Sequence, residues 1–430
     1  MNHTNDLTIE EISSVFDGLR RDGVEIVAAG PVVLALHFSV PLPKGHRPTV
    51  VLNRALKDMT IAHDLSQFDV TIADDPISQA TAIAEKYFIE PWRLISTAEG
   101  CVALKSTTIA DIDAGRLRMK TEPRKWLRGR VDRILKMALW SSQTGLQPTR
   151  DFIRAAKRDA GHILSLDRNV WREHFNSMLV AFKSSVGLQL LFDCGVLQMM
   201  LHEVCAMHRF HESCAVHHKD IWDHTLQVVD KCPPSLAVRW TALMHDTGKV
   251  WTRTVNNKGK VHFFRHEELG ASLMRGAAAR FALSQDLTDR ICYVIGNHAR
   301  ANVYSTQWTD SAVRRLIRDM GPHLDDVIAF SRSDYTTKRA WRIKEVNELG
   351  QELVKRIDQV RELDARVPPL PKGLGNALMT ATGHGPGRWL GDIQQWLEAE
   401  VEAGRLLGGL QAVEYVQYVQ RTNPQLLEAA

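Results

Sequence analysis

ALMHDTGK, residues 242–249, decides how the rest of this chain is read. An apolar helical run leads into His245-Asp246, and Gly248 follows as a stop signal. An adjacent His-Asp pair offers one imidazole nitrogen and one carboxylate to the same cation, and a carboxylate, unlike an imidazole, can bridge two cations. Working outward, His224 lies in DIWDHTLQVVD, with Leu226 and Val229 marking a core-facing side. His266 lies in FFRHEELGA, His298 in ICYVIGNHARA and Asp334 in AFSRSDYTTKR. His298 shares helical spacing with Ile291 and Ile295, and Asp334 follows Val327 and Phe330 in the same way. With 18 His in the chain, any one of them alone is more often a core or surface residue than a ligand. The ordered set H…HD…H…H…D carries the signal: it predicts a helical bundle whose successive helices project ligands inward onto a divalent metal. Imidazoles and carboxylates together suit Mn²⁺, Fe²⁺, Co²⁺, Ni²⁺, Zn²⁺ or Mg²⁺, and composition does not choose among them. A water bound to such an ion is a nucleophile near neutral pH, and a phosphorus ester is its natural target.

Around this core, composition is unremarkable for a globular protein, with 44% hydrophobic and 24% charged residues over 430 positions. At roughly 150 residues per domain, that length predicts about three domains. No apolar run approaches the roughly 18 residues of a membrane span, and MNHTNDLTIEEISS does not read as a secretory signal. Cysteines stand at 101, 194, 205, 214, 232 and 292 with no CxxC pair, which predicts reduced thiols in a cytoplasmic protein.

The first hundred residues read as mixed α/β. Residues 24–36 (VEIVAAGPVVLAL) and 68–73 (FDVTIA) are strand candidates, and 41–47 (PLPKGHR) has loop composition. From about residue 110 the pattern is helical, and 365–372 (ARVPPLPK) reads as a linker before a helical tail. The net charge of +4 hides one concentrated segment. Between residues 116 and 136 nine Lys/Arg face only Glu122 and Asp132, a local +7. That composition fits either an RNA backbone or a solvated surface helix.

These motifs resemble the HD superfamily of metal-dependent phosphohydrolases, and more closely the HD domain of the bacterial CCA-adding tRNA nucleotidyltransferase and poly(A) polymerase family. Residues 109–146 resemble that family's neck, 164–201 its helical body and 371–406 its tail, with the Gly-Pro-Gly turn and Gly391; together the matches cover roughly three quarters of the chain. The resemblance implies an α+β fold in four parts. These are a nucleotidyltransferase-like α/β head over 1–108, a helical RNA-binding neck and body over 109–215, an all-α HD domain over 216–345 and a tRNA-binding-like helical tail over 346–430. It also implies that the basic neck, with Arg124, Lys125 and Arg128, meets RNA.

The head departs from the family pattern. Family members hold nucleotide phosphates on a Gly-Gly…Arg-Asp loop and two Mg²⁺ on an Asp-x-Asp pair; here the first strand gives Ala28-Ala29-Gly30-Pro31, and Asp58 is followed by Thr60 at the second carboxylate position. Asp69 matches a third carboxylate. The base-reading Glu-Asp-x-x-Arg becomes Gly129-Arg130-Val131-Asp132-Arg133, in which only Arg133 survives. An Arg in place of the carboxylate cannot accept a hydrogen bond from a base. The expectation is a degenerate polymerising site, with an unorthodox cluster of Asp64, Asp69, Asp74 and Asp75 as the alternative. If the head is active, Asp58, Asp69 and Arg133 would serve ATP or CTP with Mg²⁺.

The leading expectation is therefore a metal-dependent phosphohydrolase acting on a tRNA or other RNA 3′ end, or on small nucleotides, as a 2′,3′-cyclic phosphodiesterase or phosphatase. His224, His245, Asp246 and Asp334 would hold one metal. His266 and His298 would complete a second site with bridging Asp246 or bind phosphate, and Lys249 would contact the scissile group. The alternatives are template-free CCA or A addition, and a non-catalytic tRNA-binding protein.

Overall fold

The computed structural model describes residues 8–21, 24–38, 42, 46–53, 67–87, 90–97, 100–103, 107–210, 220–335, 339–365 and 370–428. Asp58 and Asp64 lie outside the described residues. The chain divides into two compact units: residues 1–306 with 316–351, and residues 307–315 with 352–430. The architecture is α+β, a small sheet at the head of the first unit followed by helices.

The head sheet has the order β3-β2-β1-β4-β5, with β1 Ile26–Ala29, β2 Thr49–Leu52, β3 Asp69–Ile72, β4 Leu94–Thr97 and β5 Gly100–Ala103. β2 and β3 pair in parallel (Thr49 opposite Asp69), and the other ladders are antiparallel. Val27, Ala29, Val51 and Ile95 pack against Ala80 and Ala84 of the helix Pro76–Ala84, whose first turn is capped by Asp75 accepting from Ser78 N. The strand expected over 68–73 is thus β3. The strand expected over 24–36 is only half a strand: β1 ends at Ala29, Gly30 turns at φ +80°, and Pro31–Phe38 is a helix. A run of β-branched residues buried on all sides reads alike in either conformation. The Gly30-Pro31 step decides it, because Pro is favoured at a helix start.

The expected basic helix over 116–136 is also corrected. It comprises a two-residue strand Arg116–Leu117, a short helix Pro123–Leu127 and the start of the helix Asp132–Thr144. Several of its cations are already paired. The buried Asp111 accepts from Arg116 Nε at 2.9 Å and from Arg118, and Arg130 is paired with Asp132. Arg124, Lys125 and Arg128 stay exposed. Trp126 and Leu127 of the same short helix are buried, and Trp126 stacks on Trp140 at 5.6 Å.

The helical body of the first unit and the region of the candidate ligands are built around Leu236–Met244, in which every residue from Ala237 to Met244 is buried. A helix apolar all round belongs at the centre of a bundle. Its one charge, Arg239, is buried and spent on main-chain oxygens: it donates to the carbonyls of Cys232, Leu179 and Ala181 and to Ser184 Oγ. Tight seams recur. A Cβ on Gly187 would stand 2.2 Å from Ser142 Oγ and 2.6 Å from the Ala138 carbonyl. The second unit has its own core, with Leu374, Leu378, Ile393, Leu397, Tyr415, Val416 and Val419 drawn from the helices Leu374–Thr382, Arg388–Glu402 and Ala412–Thr422. Among the described residues, no helix is long and apolar enough to cross a membrane.

Candidate metal centre

All six predicted ligands converge, and all but His224 stand at or just beyond helix ends. His224 sits inside Ile221–Lys231, a helix started by Asp220 accepting from Trp222 N. His245 is the residue that ends Leu236–Met244, and His298 ends Gln285–Asn297. His266 is the first residue of His266–Arg280, and Asp334 follows Leu324–Ser331. Helix ends suit this task because their last carbonyls have no intrahelical partner. His245 Nδ1 meets the Ala242 carbonyl at 2.9 Å, and His298 Nδ1 meets that of Ile295 at 2.8 Å. His266 Nδ1 makes the equivalent contact with the Phe263 carbonyl just before its helix, at 2.9 Å. Each Nδ1–H is thereby donated to main chain. That orients each ring and turns Nε2 inward, where it offers a lone pair whenever the ring is neutral.

These inward atoms form two triads. His224, His245 and Asp334 place one ligand atom each within 4.8 Å of one another, as do Asp246, His266 and His298. Asp246 also reaches the first triad. Its Oδ2 lies 3.2 Å from His245 Nε2 and 3.8 Å from His224 Nε2, while Oδ1 lies 4.0 Å from His266 Nε2. Asp334 Oδ1 is 3.1 Å from His224 Nε2 and 3.7 Å from His245 Nε2, and its Oδ2 accepts from Asn302 Nδ2. Asn302 carried no sequence signal, since nothing in its neighbourhood marks it as a partner of Asp334.

The residues fit a cation. His245 Nε2, Asp246 Oδ1 and His266 Nε2 are buried without a hydrogen-bond partner, in a structure where nearly all buried polar atoms are expected to be satisfied. Burial opposes ionisation of Asp246, yet the neighbouring His245 and Lys249 hold its carboxyl well below the usual range. Burial likewise opposes ionisation of Asp334, and its hydrogen bond from His224 together with His245 keeps it low. Burial and then the His245 charge push His298 down, so it stays neutral and able to ligate. The donor set is thus four imidazoles and two carboxylates, suited to borderline or hard divalent ions.

Lys249, expected at the phosphate, has its Nζ on Asp246 Oδ2 at 2.9 Å and lies 5.5 Å from the Phe263 ring centroid. The backbone between the triads is tightly set. A Cβ on Gly248 would stand 2.1 Å from the His266 carbonyl oxygen, and one on Gly270 would stand 3.3 Å from that of His245.

The head and neck candidates are not brought together in this way. Asp69 is exposed on the edge strand β3, 3.5 Å from Arg47 Nε. Asp75 is used as a helix cap and Asp74 is exposed. Among the described residues, the head presents no group of three metal-competent side chains. Its turn after β1 is filled: the Tyr87 ring lies 2.4 Å from where a Gly30 Cβ would stand, and the helix that follows begins with buried Pro31, Val32 and Val33. Arg133 donates to the Trp126 carbonyl and lies over that indole at 5.2 Å, so it braces the neck. Arg124 borders a groove with Arg154, Lys157 and Arg158, alongside Glu122 and Asp151. Burial raises the thiols of Cys194 and Cys232 to about 11 and that of Cys205 to about 12, so none of these is a nucleophile.

Residues 221–361 match the family model of the HD domain. The chain is similar to the CC-adding tRNA nucleotidyltransferase of Thermus thermophilus, at 26% identity over 240 residues covering 54% of this chain and 52% of the relative. It is similar as well to the A-adding tRNA nucleotidyltransferase of Deinococcus radiodurans, at 24% identity over 356 residues covering 81% and 78%. The chain thus spans only about half the length of the first curated relatives it matches. Against the crystal structure of the Bacillus stearothermophilus CCA-adding enzyme in complex with CTP the TM-score is 0.45, at 13% identity over 97% of this chain and 98% of that one.

Proposed function

We propose that this relative of the tRNA nucleotidyltransferases, with an HD domain in its C-terminal half, acts on tRNA or other RNA 3′ ends, or on small nucleotides. The proposed chemistry is divalent-metal phosphoester hydrolysis at the HD centre, in a cytoplasmic setting. The observation that carries the reading is the trio of orphaned buried ligand atoms on His245, Asp246 and His266. His224, His245 and Asp334 would hold one ion and Asp246, His266 and His298 a second, with Asp246 presenting an oxygen to each. Ions bound there would supply an activated water and neutralise phosphate oxygens. The chain's own contribution is to fix the Nε2 tautomers through main-chain carbonyls and to keep both carboxylates ionised. Lys249 sets the orientation of Asp246 and brings a positive charge to the place where a phosphate would lie.

The test is release of phosphate from 2′,3′-cAMP and p-nitrophenyl esters with Mn²⁺, Ni²⁺, Co²⁺ or Mg²⁺. Activity is expected with at least one of these ions and lost in His245→Ala plus Asp246→Ala. No turnover with any of them, or turnover indifferent to that double change, removes the proposal.

The names of the relatives favour a second reading, template-free addition of nucleotides to a tRNA 3′ end with Mg²⁺ and ATP or CTP, and they lend it more support than they lend hydrolysis. It requires carboxylates from the segment containing Asp58 to join Asp69. It predicts that labelled ATP or CTP enters tRNA lacking its terminus and that Asp69→Ala abolishes this. No incorporation in Mg²⁺ or Mn²⁺ eliminates it.

A further inference from the structure

Immediately beyond the metal centre the chain runs TGKVWTRTVNNKGKVHFFRH, and from Lys249 to Arg265 it holds five Lys/Arg and no carboxylate. The segment is a short helix Lys249–Thr252 and a hairpin, Arg253–Val255 paired antiparallel with Val261–Phe263. Its root is fastened to the centre at two points. Lys249 pairs with Asp246, and the Phe263 carbonyl accepts from His266. Its tip is held by its own hydrogen bonds: Asn256 Oδ1 accepts from both Lys258 N and Lys260 N, and Gly259 takes φ +72°.

Two large aromatic residues on this segment face solvent, Trp251 at 52% and Phe264 at 68% exposure. The Phe264 ring is already stacked on His262, 5.1 Å between centroids at 8°. Exposed aromatics do nothing for the core. Beside the exposed Lys258 and Lys260, and with no acidic residue in the segment, they match the face-and-phosphate chemistry of an unpaired nucleotide. A buried strand partner would want aliphatic pairing instead, and the outward residues Arg253, Thr254 and Val255 give no continuous apolar strip.

We propose that residues 249–264 form a nucleobase platform at the mouth of the HD centre. Trp251 and Phe264 stack unpaired bases of an RNA 3′ end or nucleotide, and Lys258 and Lys260 meet the phosphates. The inference rests on the HD centre being where that end is processed.

The test uses the full chain in EDTA, so that hydrolysis does not enter, and measures binding of a 5′-fluorescein ribotrinucleotide by anisotropy. Trp251→Ala and Phe264→Ala are each expected to weaken binding by about 5- to 100-fold. Lys258→Ala plus Lys260→Ala is expected to lower the salt slope by about 1.4. All four positions are exposed or at the hairpin tip, and circular dichroism checks that the variants stay folded. Equal binding by wild type and both aromatic variants, or loss confined to the lysine variant, overturns the stacking platform. A second arm separates this from the hydrolase reading. With metal present, glycerol 2-phosphate, which has no base, should be turned over unchanged by the aromatic variants, while KM for 2′,3′-cAMP rises. Wild-type inertness toward both esters, with trinucleotide binding still dependent on Trp251 and Phe264, removes the hydrolase and leaves the platform. Hydrolysis with KM unmoved removes the platform and leaves the hydrolase.

Discussion

Substituting Gly248 by Ala adds a single methyl group at the point where two backbone segments of the metal centre touch. Gly248 has an ordinary helical conformation (φ −62°), so the added Cβ brings no torsional strain. The effect is steric alone. The new carbon would stand 2.1 Å from the His266 carbonyl oxygen and 2.9 Å from Gly270 N, both main-chain atoms at the start of a fifteen-residue helix. Ordinary contact begins near 3.4 Å, so the two segments must part by more than an ångström. No rotamer change relieves this, because neither partner is the end of a flexible side chain. Overpacking of this kind costs about 1–3 kcal/mol. The displaced element carries His266, whose Nε2 is 4.0 Å from Asp246 Oδ1. Moving it by an ångström spoils the second triad and leaves His224, His245 and Asp334 in place. The assay is metal stoichiometry by mass spectrometry of dialysed protein, alongside urea unfolding of the metal-free chain. The expected result is a fall from two tightly held ions to one, with stability lowered by about 1–3 kcal/mol. A variant that retains two ions and wild-type stability would refute the packing argument.

Asp111→Asn should cost about 1–2 kcal/mol, since Arg118 and Arg116 lose a buried charged acceptor. Arg118, then Arg116, hold that carboxyl below its ordinary value. A depressed carboxyl stabilises above the unfolded value near 3.9 and ceases to do so as pH falls through the lower folded value. The gap in urea stability between wild type and variant should therefore be full at pH 6 and close below pH 4. Arg239→Met should destabilise by about 3 kcal/mol, because the carbonyls of Leu179, Ala181 and Cys232 lose their buried donor. Denaturant midpoints check this, and an unchanged midpoint would mean that water replaces the guanidinium. Charge reversal at Arg124, Lys125 and Arg128 should flatten the salt dependence of tRNA binding by at least about 2 in log–log slope, and an unaltered slope would place RNA elsewhere.

The convergence of the six candidate ligands was legible in the sequence because imidazoles and carboxylates at helix-compatible spacing have few other reasons to recur in that order. The placement of all but His224 at helix ends was not legible. It follows from capping, in which His245 and His298 close their own helices through Nδ1, and only the structure reveals which carbonyls are free. The strand-to-helix change at Gly30-Pro31 was hidden by composition, since Val32, Val33 and Leu34 are buried as completely as Val27. The basic neck looked like one uniform face because its main counter-charge, Asp111, lies outside the counted window and is brought to Arg116 and Arg118 by folding. Trp251 and Phe264 gave no signal at all, because an aromatic residue is taken for core until its exposure is known.

Asp246 has one carboxylate and two neighbourhoods, so two ions held as proposed would not load independently. An ion seated on His266 and His298 would draw Oδ1 toward itself and swing Oδ2, which decides how the other position is presented. By thermodynamic reciprocity the influence runs equally in both directions. Occupancy plotted against metal concentration should then depart from a simple hyperbola, and a chelator that strips one ion should change the affinity of the ion left behind. In a compartment where several divalent ions compete, such a centre responds to the mixture as a pair, and the ion held at one position biases which ion is held at the other.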